Sequence, residues 1–303
     1  MLFNRCDSTI SFEVDSSYLP ADCYQIFKRG ERTSGVYSIQ PKGSQLFQTY
    51  CQMTADSGWT VIQRRFNGSV DFDRLWLDYK TGFGELHGEF WLGLESFYQI
   101  AHQAKYLLRI ELEDWKNKTR YIEYTFRLGG MDNNYTLQIG QVLTGDLSSA
   151  MSDCKALPFS TSDRDNDLHT VINCAKQHSG GWWFSACGEA SLNGKYLKTR
   201  INRRSDRKKG IFWKTWKGNY YSFKSTLLMV RPMRILVASP GEATTQDYIY
   251  AKLQKQHATD RVNSSGLPPE VRRLGNGVEA LTCVRTPAAG RGHKMSGGAA
   301  ARE

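Results

Sequence analysis

The chain has 303 residues, 40% apolar and 12% aromatic, with a formal net charge of +10 at pH 7. That length buries a sizeable core in one large domain or two medium ones, and the supply of Tyr and Trp suits a sheet-rich globular protein. No apolar run approaches the roughly 20 residues of a membrane-spanning helix. No helix-turn-helix, zinc-finger or RNA-recognition signature accompanies the positive charge, so nucleic acid is not the expected partner.

Residues 1–19 are polar and unpatterned, without the basic and apolar regions of a secretory signal. From Cys23 onward, "SGVYSIQP", "LFQTYCQM" and "GWTVIQRRF" are β-branched and aromatic runs split by Gly, Pro, Asp and Ser, and read as three short strands. "SFYQIAHQA" has helical spacing from Ser96 to Ala104, with Ser96 as N-cap and Glu95 beside the first turn. In "YLLRIELEDW" Leu108, Ile110 and Leu112 alternate with Arg109, Glu111 and Glu113. In "YIEYTFRL" Ile122, Tyr124, Phe126 and Leu128 alternate with Glu123, Thr125 and Arg127. These two predict antiparallel strands with one buried and one wet face, joined by a turn at "KNKT". From Gly129 to about Lys209 periodicity fades, and a loop region this long is functional, cross-linked or disordered. "GIFWKTWKG" and "NYYSFKSTLLMVRPM" return to strand patterning, with a late strand able to rejoin the sheet. Residues 234–303 are rich in Gly, Ala, Pro and charge and are expected to form a disordered tail.

The seven cysteines are Cys6, Cys23, Cys51, Cys154, Cys174, Cys187 and Cys283. None forms CxxC or a Cys/His cluster at zinc spacing, so disulfides are the better reading, with at least one cysteine left over. Sequons at Asn67, Asn117, Asn134 and Asn263 point the same way, to an oxidising, secretory environment.

Motifs of the common enzyme classes are missing: there is no GxSxG, HExxH, Walker A loop or Rossmann fingerprint. His178, near Cys174 and Cys187, has the makings of a base for a thiol nucleophile, unless those cysteines are oxidised. Three other stretches stand out. Asp163, Asp165 and Asp167 alternate in "FSTSDRDNDLHTV", which is either a loop converging on a hard cation or a solvated acidic turn; it lacks the glycine and glutamate of an EF-hand. "RINRRSDRKKG", with Arg203, Arg204, Arg207, Lys208 and Lys209, is either a solvated loop or a site for anionic glycans. In "NCAKQHSGGWWFSACGEASLNGKY" the framing cysteines lie 13 apart, and a bridge closing such a loop is worth roughly 3 kcal/mol. Trp182, Trp183 and Phe184 then form a small core, or one Trp faces outward as a ligand platform. Alternation places the two tryptophans on opposite faces.

Together "GWTVIQRR", "YKTGFGELHGEFWLGLE", "SGGWWFSACGEASLNGKY" and "GIFWKTWKG" resemble the fibrinogen C-terminal, or fibrinogen-related, domain over about residues 20–233. Within that family the chain is most similar to the angiopoietin-like proteins. The resemblance implies an α+β fold of three lobes: N-terminal, a central antiparallel β-sheet, and loop-rich C-terminal. It implies bridges Cys23–Cys51 and Cys174–Cys187. It implies a structural calcium held by the Asp165 and Asp167 side chains and the carbonyls of His169 and Val171. It further implies a secreted, non-enzymatic signalling ligand linked to angiogenesis and lipid metabolism through a cell-surface receptor or integrin. Heparan sulfate-like polyanions and a fatty acid are further candidate partners. The rival is a ficolin-like lectin for acetylated glycans. Lectin-like and clotting members carry histidines where this chain has Gly188 and Ser191, which counts against it. The family's signal peptide and oligomerising coiled coil have no counterpart before Cys23. Nor do Cys6, Cys154, Cys283 or the tail match family features. An incomplete or misjoined gene model is the expected reason.

Overall fold

A computed structural model describes residues 19–151, 156–198 and 209–233. Cys6, Cys154, Cys283, Asn263, Arg203, Arg204, Arg207, Lys208 and both flanking segments lie outside those residues. Among the described residues no helix is long and apolar enough to cross a membrane.

Helix α1 (Cys23–Lys28) starts where Asp22 accepts the Gln25 N–H at 2.9 Å, an N-cap that satisfies one free donor of the first turn. The three runs read as strands are β1 (Gly35–Ile39), β2 (Phe47–Met53) and β3 (Gly58–Arg65), an antiparallel meander. Helix α2 (Trp76–Thr81) and the short strands β4 (Phe83–Gly84) and β5 (Phe90–Trp91) follow, with β5 pairing back onto β3. Helix α3 (Leu94–Ala101) leads into β6 (Tyr106–Glu113), β7 (Thr119–Leu128) and β8 (Leu137–Gly145). The remaining chain holds the short strands β9 (Ala156–Leu157), β10 (Phe159–Ser160), β11 (Trp182–Trp183), β12 (Ala190–Ser191) and β13 (Phe212–Trp213), and the helices α4 (Cys174–His178) and α5 (Lys214–Lys217). The last strand, β14 (Ser225–Pro232), does rejoin the sheet, and at its centre. The order is β1-β2-β3-β14-β6-β7-β8-β9.

Three local expectations are corrected. Ser96 does not cap α3. The helix begins three residues earlier than that cap implies, at Leu94, and its N-cap is Gly93 at φ 105°, where a side chain would also meet the Thr81 backbone at 2.8 Å. Second, the sheet face expected to be wet is wet only in part: Arg109, Glu111, Glu113 and Thr125 are half-buried and Arg127 is exposed, but Glu123 is buried. Glu123 is 1% exposed, ion-paired to Arg109 at 3.0 Å. Arg109 and Arg231 both reach over the Trp59 ring, at 5.8 and 4.9 Å. Long cationic stems cover apolar surface while their heads stay polar. Third, the stretch after Gly129 is not all loop, because β8 is a nine-residue strand. Register shifts between β7 and β8 break the period-2 pattern that sequence reading depends on.

Phe159 from β10 ties the sheet to the loop-rich end. Its ring meets Tyr79 of α2 at 5.1 Å, Trp91 of β5 at 5.8 Å and Trp183 of β11 at 5.0 Å. These four aromatics are all buried, and clusters of this kind add about 0.5–1.5 kcal/mol per pair beyond area burial.

Candidate functional site

Cys174 and Cys187 form a disulfide, with Cα atoms 4.9 Å apart, as do Cys23 and Cys51 at 5.4 Å. Neither Cys174 nor Cys187 is therefore a thiolate nucleophile. His178 is buried against Phe184 and Phe212, ring centroids 5.2 Å away in both cases, and its Nε2 lies 3.1 Å from the Cys187 carbonyl oxygen. It is a core side chain.

Trp182 and Trp183 are 1% and 3% exposed, which corrects the expectation that one of them faces solvent as a ligand platform. The two-residue strand β11 pairs with β10, and each face of it is covered. Trp183 Nε1 donates to the Tyr135 carbonyl at 2.9 Å, so its one polar atom is satisfied inside the core. The two tryptophans do line a cavity, with Met151, Leu157, Ser185, Gly188 and others around it, of about 20 Å³. That is room for about one water. Gly188, where a lectin-like histidine is expected, takes φ 60°, a left-handed conformation that suits glycine.

The acidic loop is knitted by its own side chains. Asp163 Oδ1 accepts from Thr161 Oγ1 at 2.7 Å and from the Trp76 N–H at 2.9 Å. It thus satisfies a free N–H at the start of α2, whose own N-cap residue Leu75 has no side-chain oxygen. Burial would raise its pKa, but these donors and Arg164 outweigh that and hold the carboxyl below the usual range. Asp167 accepts the His169 N–H at 2.8 Å and the Cys174 N–H at 2.7 Å, so it joins the loop to the bridge. His169 turns its Nδ1 inward to the Val171 and Ile172 N–H groups, both at 3.2 Å, which excludes that nitrogen as a ligand.

Desolvation, then the adjacent Asp165 carboxylate, push the Asp167 carboxyl above its ordinary value, against the two N–H bonds that lower it. Two carboxylates that repel each other on one loop are hard oxygen donors suited to a hard cation. Among the described residues no three His, Cys, Asp or Glu side chains converge. The loop thus offers a hard cation two side-chain carboxylates, Asp165 and Asp167, and the rest of a shell would have to come from backbone carbonyls and water.

Sequence reading overlooked a buried polar hub. Gln63 Nε2 donates to the Leu192 carbonyl and Asn193 Oδ1, both at 2.9 Å, and Gln63 Oε1 accepts from Thr226 Oγ1 at 2.7 Å. Arg65 Nη1 donates to the Gly194 carbonyl at 2.8 Å, and its guanidinium lies 3.9 Å from the Phe72 ring centroid. Burial lowers the Arg65 pKa to about 10, with Glu89 opposing. Glu89 accepts the Phe66, Asn67 and Gly68 N–H groups at 2.6, 2.8 and 2.8 Å. The available signal was the presence of Gln63 and Arg65 inside an otherwise apolar strand. Of the cations in the basic stretch, Lys209 alone falls among the described residues; its carbonyl accepts the Lys195 N–H at 2.7 Å.

The family model for the C-terminal globular domain of fibrinogen beta and gamma chains matches residues 19–233. The chain belongs to the fibrinogen C-terminal domain family. Human angiopoietin-related protein 3 is 48% identical over 71% of this chain and 46% of its own length. Human angiopoietin-2 is 41% identical over 75% of this chain and 45% of its own. This fibrinogen-related chain spans about half the length of these curated relatives. Among solved structures, the fibrinogen-like globe domain of human ANGPTL2 superposes with a TM-score of 0.67 at 38% identity, covering 70% of this chain and 99% of that one. Lamprey fibrin D-dimer, complexed with the peptide Gly-His-Arg-Pro-amide, gives the same TM-score at 36% identity, covering 76% of this chain and 79% of that one.

Proposed function

We propose that this domain is an extracellular, non-enzymatic ligand of the angiopoietin-like type that acts through protein surfaces, by contact with a cell-surface receptor or integrin. The observation that carries this reading is the combination of 48% identity to angiopoietin-related protein 3 with a tryptophan pocket of about 20 Å³. The relatives bear angiopoietin names, and the small pocket offers a sugar substituent little purchase. Roles in angiogenesis and lipid metabolism, and contact with heparan sulfate-like polyanions through Lys209 and the neighbouring cations, belong to the same proposal. So does the finer likeness of "FSTSDRDNDL" and "KKGIFWKTWKGNYY" to angiopoietin-related protein 4. The test is a glycan array probed alongside endothelial cells: cell binding is expected, with no acetylated-glycan signal. Array binding that free acetylated sugars compete away supports the ficolin-like lectin instead.

Calcium is proposed as a brace for the loop joining β10 to α4. When bound, it neutralises the Asp165 and Asp167 pair and contributes no chemistry. Asp167 still anchors the Cys174 N–H and thereby the bridge.

A further inference from the structure

Two of the sequons share one corner of the domain. Asn67 and Asn117 are both exposed. Asn67 lies on the loop held by Glu89, and its Oδ1 accepts the Ser69 N–H at 2.9 Å. This is an Asx-turn, which folds the carboxamide over the residue two further on. Asn117 sits at the tip between β6 and β7 with φ 59°, and its Oδ1 accepts from Lys224 Nζ at 2.7 Å.

One tyrosine ties the two loops together. The Tyr196 hydroxyl lies 2.8 Å from the Phe66 carbonyl oxygen and 2.7 Å from that of Lys224, sharing its proton between them. Its ring meets Trp115 at 6.1 Å, and a Cβ on Gly68 would come within 2.6 Å of it. Asn134 differs: it is half-buried, and Arg164 Nη2 donates to its Oδ1 at 2.8 Å.

We propose that Asn67 and Asn117 both carry N-linked glycans, and that the pair shields the corner built on Tyr196, Trp115 and Lys224. The modification is a group transfer from a lipid pyrophosphate-linked oligosaccharide. The Asn Nδ2 attacks the anomeric carbon, a C–N bond forms, the bond from that carbon to the pyrophosphate oxygen breaks, and Nδ2 gives up one proton. The lipid pyrophosphate leaves. This inference rests on the extracellular reading, since the donor belongs to the secretory pathway.

The full chain, given a cleavable secretory leader in mammalian cells, is recovered from both medium and lysate. It is deglycosylated in H₂¹⁸O, and the peptides are mapped. Both Asn67 and Asn117 are expected to convert to ¹⁸O-labelled Asp. Secreted protein with either site bare overturns the proposal. Labelled sites in the lysate with nothing in the medium support the glycans and overturn the secretion reading. Shielding is read separately by amine labelling of the exposed Lys116, Lys118 and Lys195 against exposed Lys42. The reference is the variant Ser69→Ala with Thr119→Val, which removes both sequons and keeps both asparagines. The first three lysines are expected to label several-fold more slowly in the wild-type protein, with Lys42 unchanged. Equal rates overturn the shielding.

Discussion

Glu89 shows how one side chain organises a loop. Burial alone would raise its pKa, but the N–H groups of Gly68, Asn67 and Phe66, with Arg65, outweigh that and hold it below the ordinary carboxylate value. A depressed folded pKa contributes stability above the unfolded value, and that contribution is lost as pH falls through the folded one. The Tm difference between wild type and Glu89→Gln is therefore expected to be full above about pH 4.5 and to shrink on further acidification. A difference that grows on acidification would contradict this sign. Glu89→Ala removes the shared acceptor. Residues 66–68 are exposed and can be rehydrated, so the expected loss is about 1–3 kcal/mol by urea unfolding rather than a multiple of it. Nothing in "GFGELHGEF" marks Glu89 for this role, because its partners are backbone groups of a loop some twenty residues earlier. The capping role of Asp163 escaped notice for the same reason. Its alternation with Asp165 and Asp167 suggested an ion, while its carboxylate faces the start of α2.

At the scale of elements, what was legible is what periodicity and turn chemistry encode. β1, β2 and β3 follow from β-branched and aromatic runs, β6 and β7 from alternation, and the hairpin tip at Asn117 from "KNKT". β8 was illegible because its register slips against β7, and Gly140 sits where a side chain would meet Thr125 Oγ1 at 2.3 Å. The polar face of β6 and β7 is drier than alternation suggests, because alternation reports polarity alone and Glu123 is buried in its ion pair with Arg109. The bridge beside α4 was expected from the family resemblance, and what it braces is now visible. Replacing Cys174 and Cys187 together with Ser removes a link worth roughly 3 kcal/mol and loosens the anchor of Asp167. A Tm drop together with a blunted response to calcium is expected; unchanged calcium response would mean the loop is held by its own hydrogen bonds. Trp183→Ala opens a cavity where four buried aromatics meet, for an expected loss of about 3–5 kcal/mol in denaturant unfolding.

For the whole molecule, the loop-rich end and the sheet are joined through Gln63, Arg65, Asn193 and Phe159, so a brace in the acidic loop stabilises the domain as a unit. With calcium at about a hundredfold excess over its Kd, linkage supplies about 2.7 kcal/mol, which raises the Tm of a domain this size by about 5–10 °C. A calorimetric scan with and without chelator reads this, and an unmoved Tm removes calcium from the account. The central claim is that partners meet a protein surface instead of a sugar pocket. Its most direct measurement is binding of the labelled protein to endothelial cells, titrated with and without saturating N-acetylated sugar. The account predicts saturable binding whose half-point the sugar leaves unchanged; displacement of the bound protein by the sugar would contradict it.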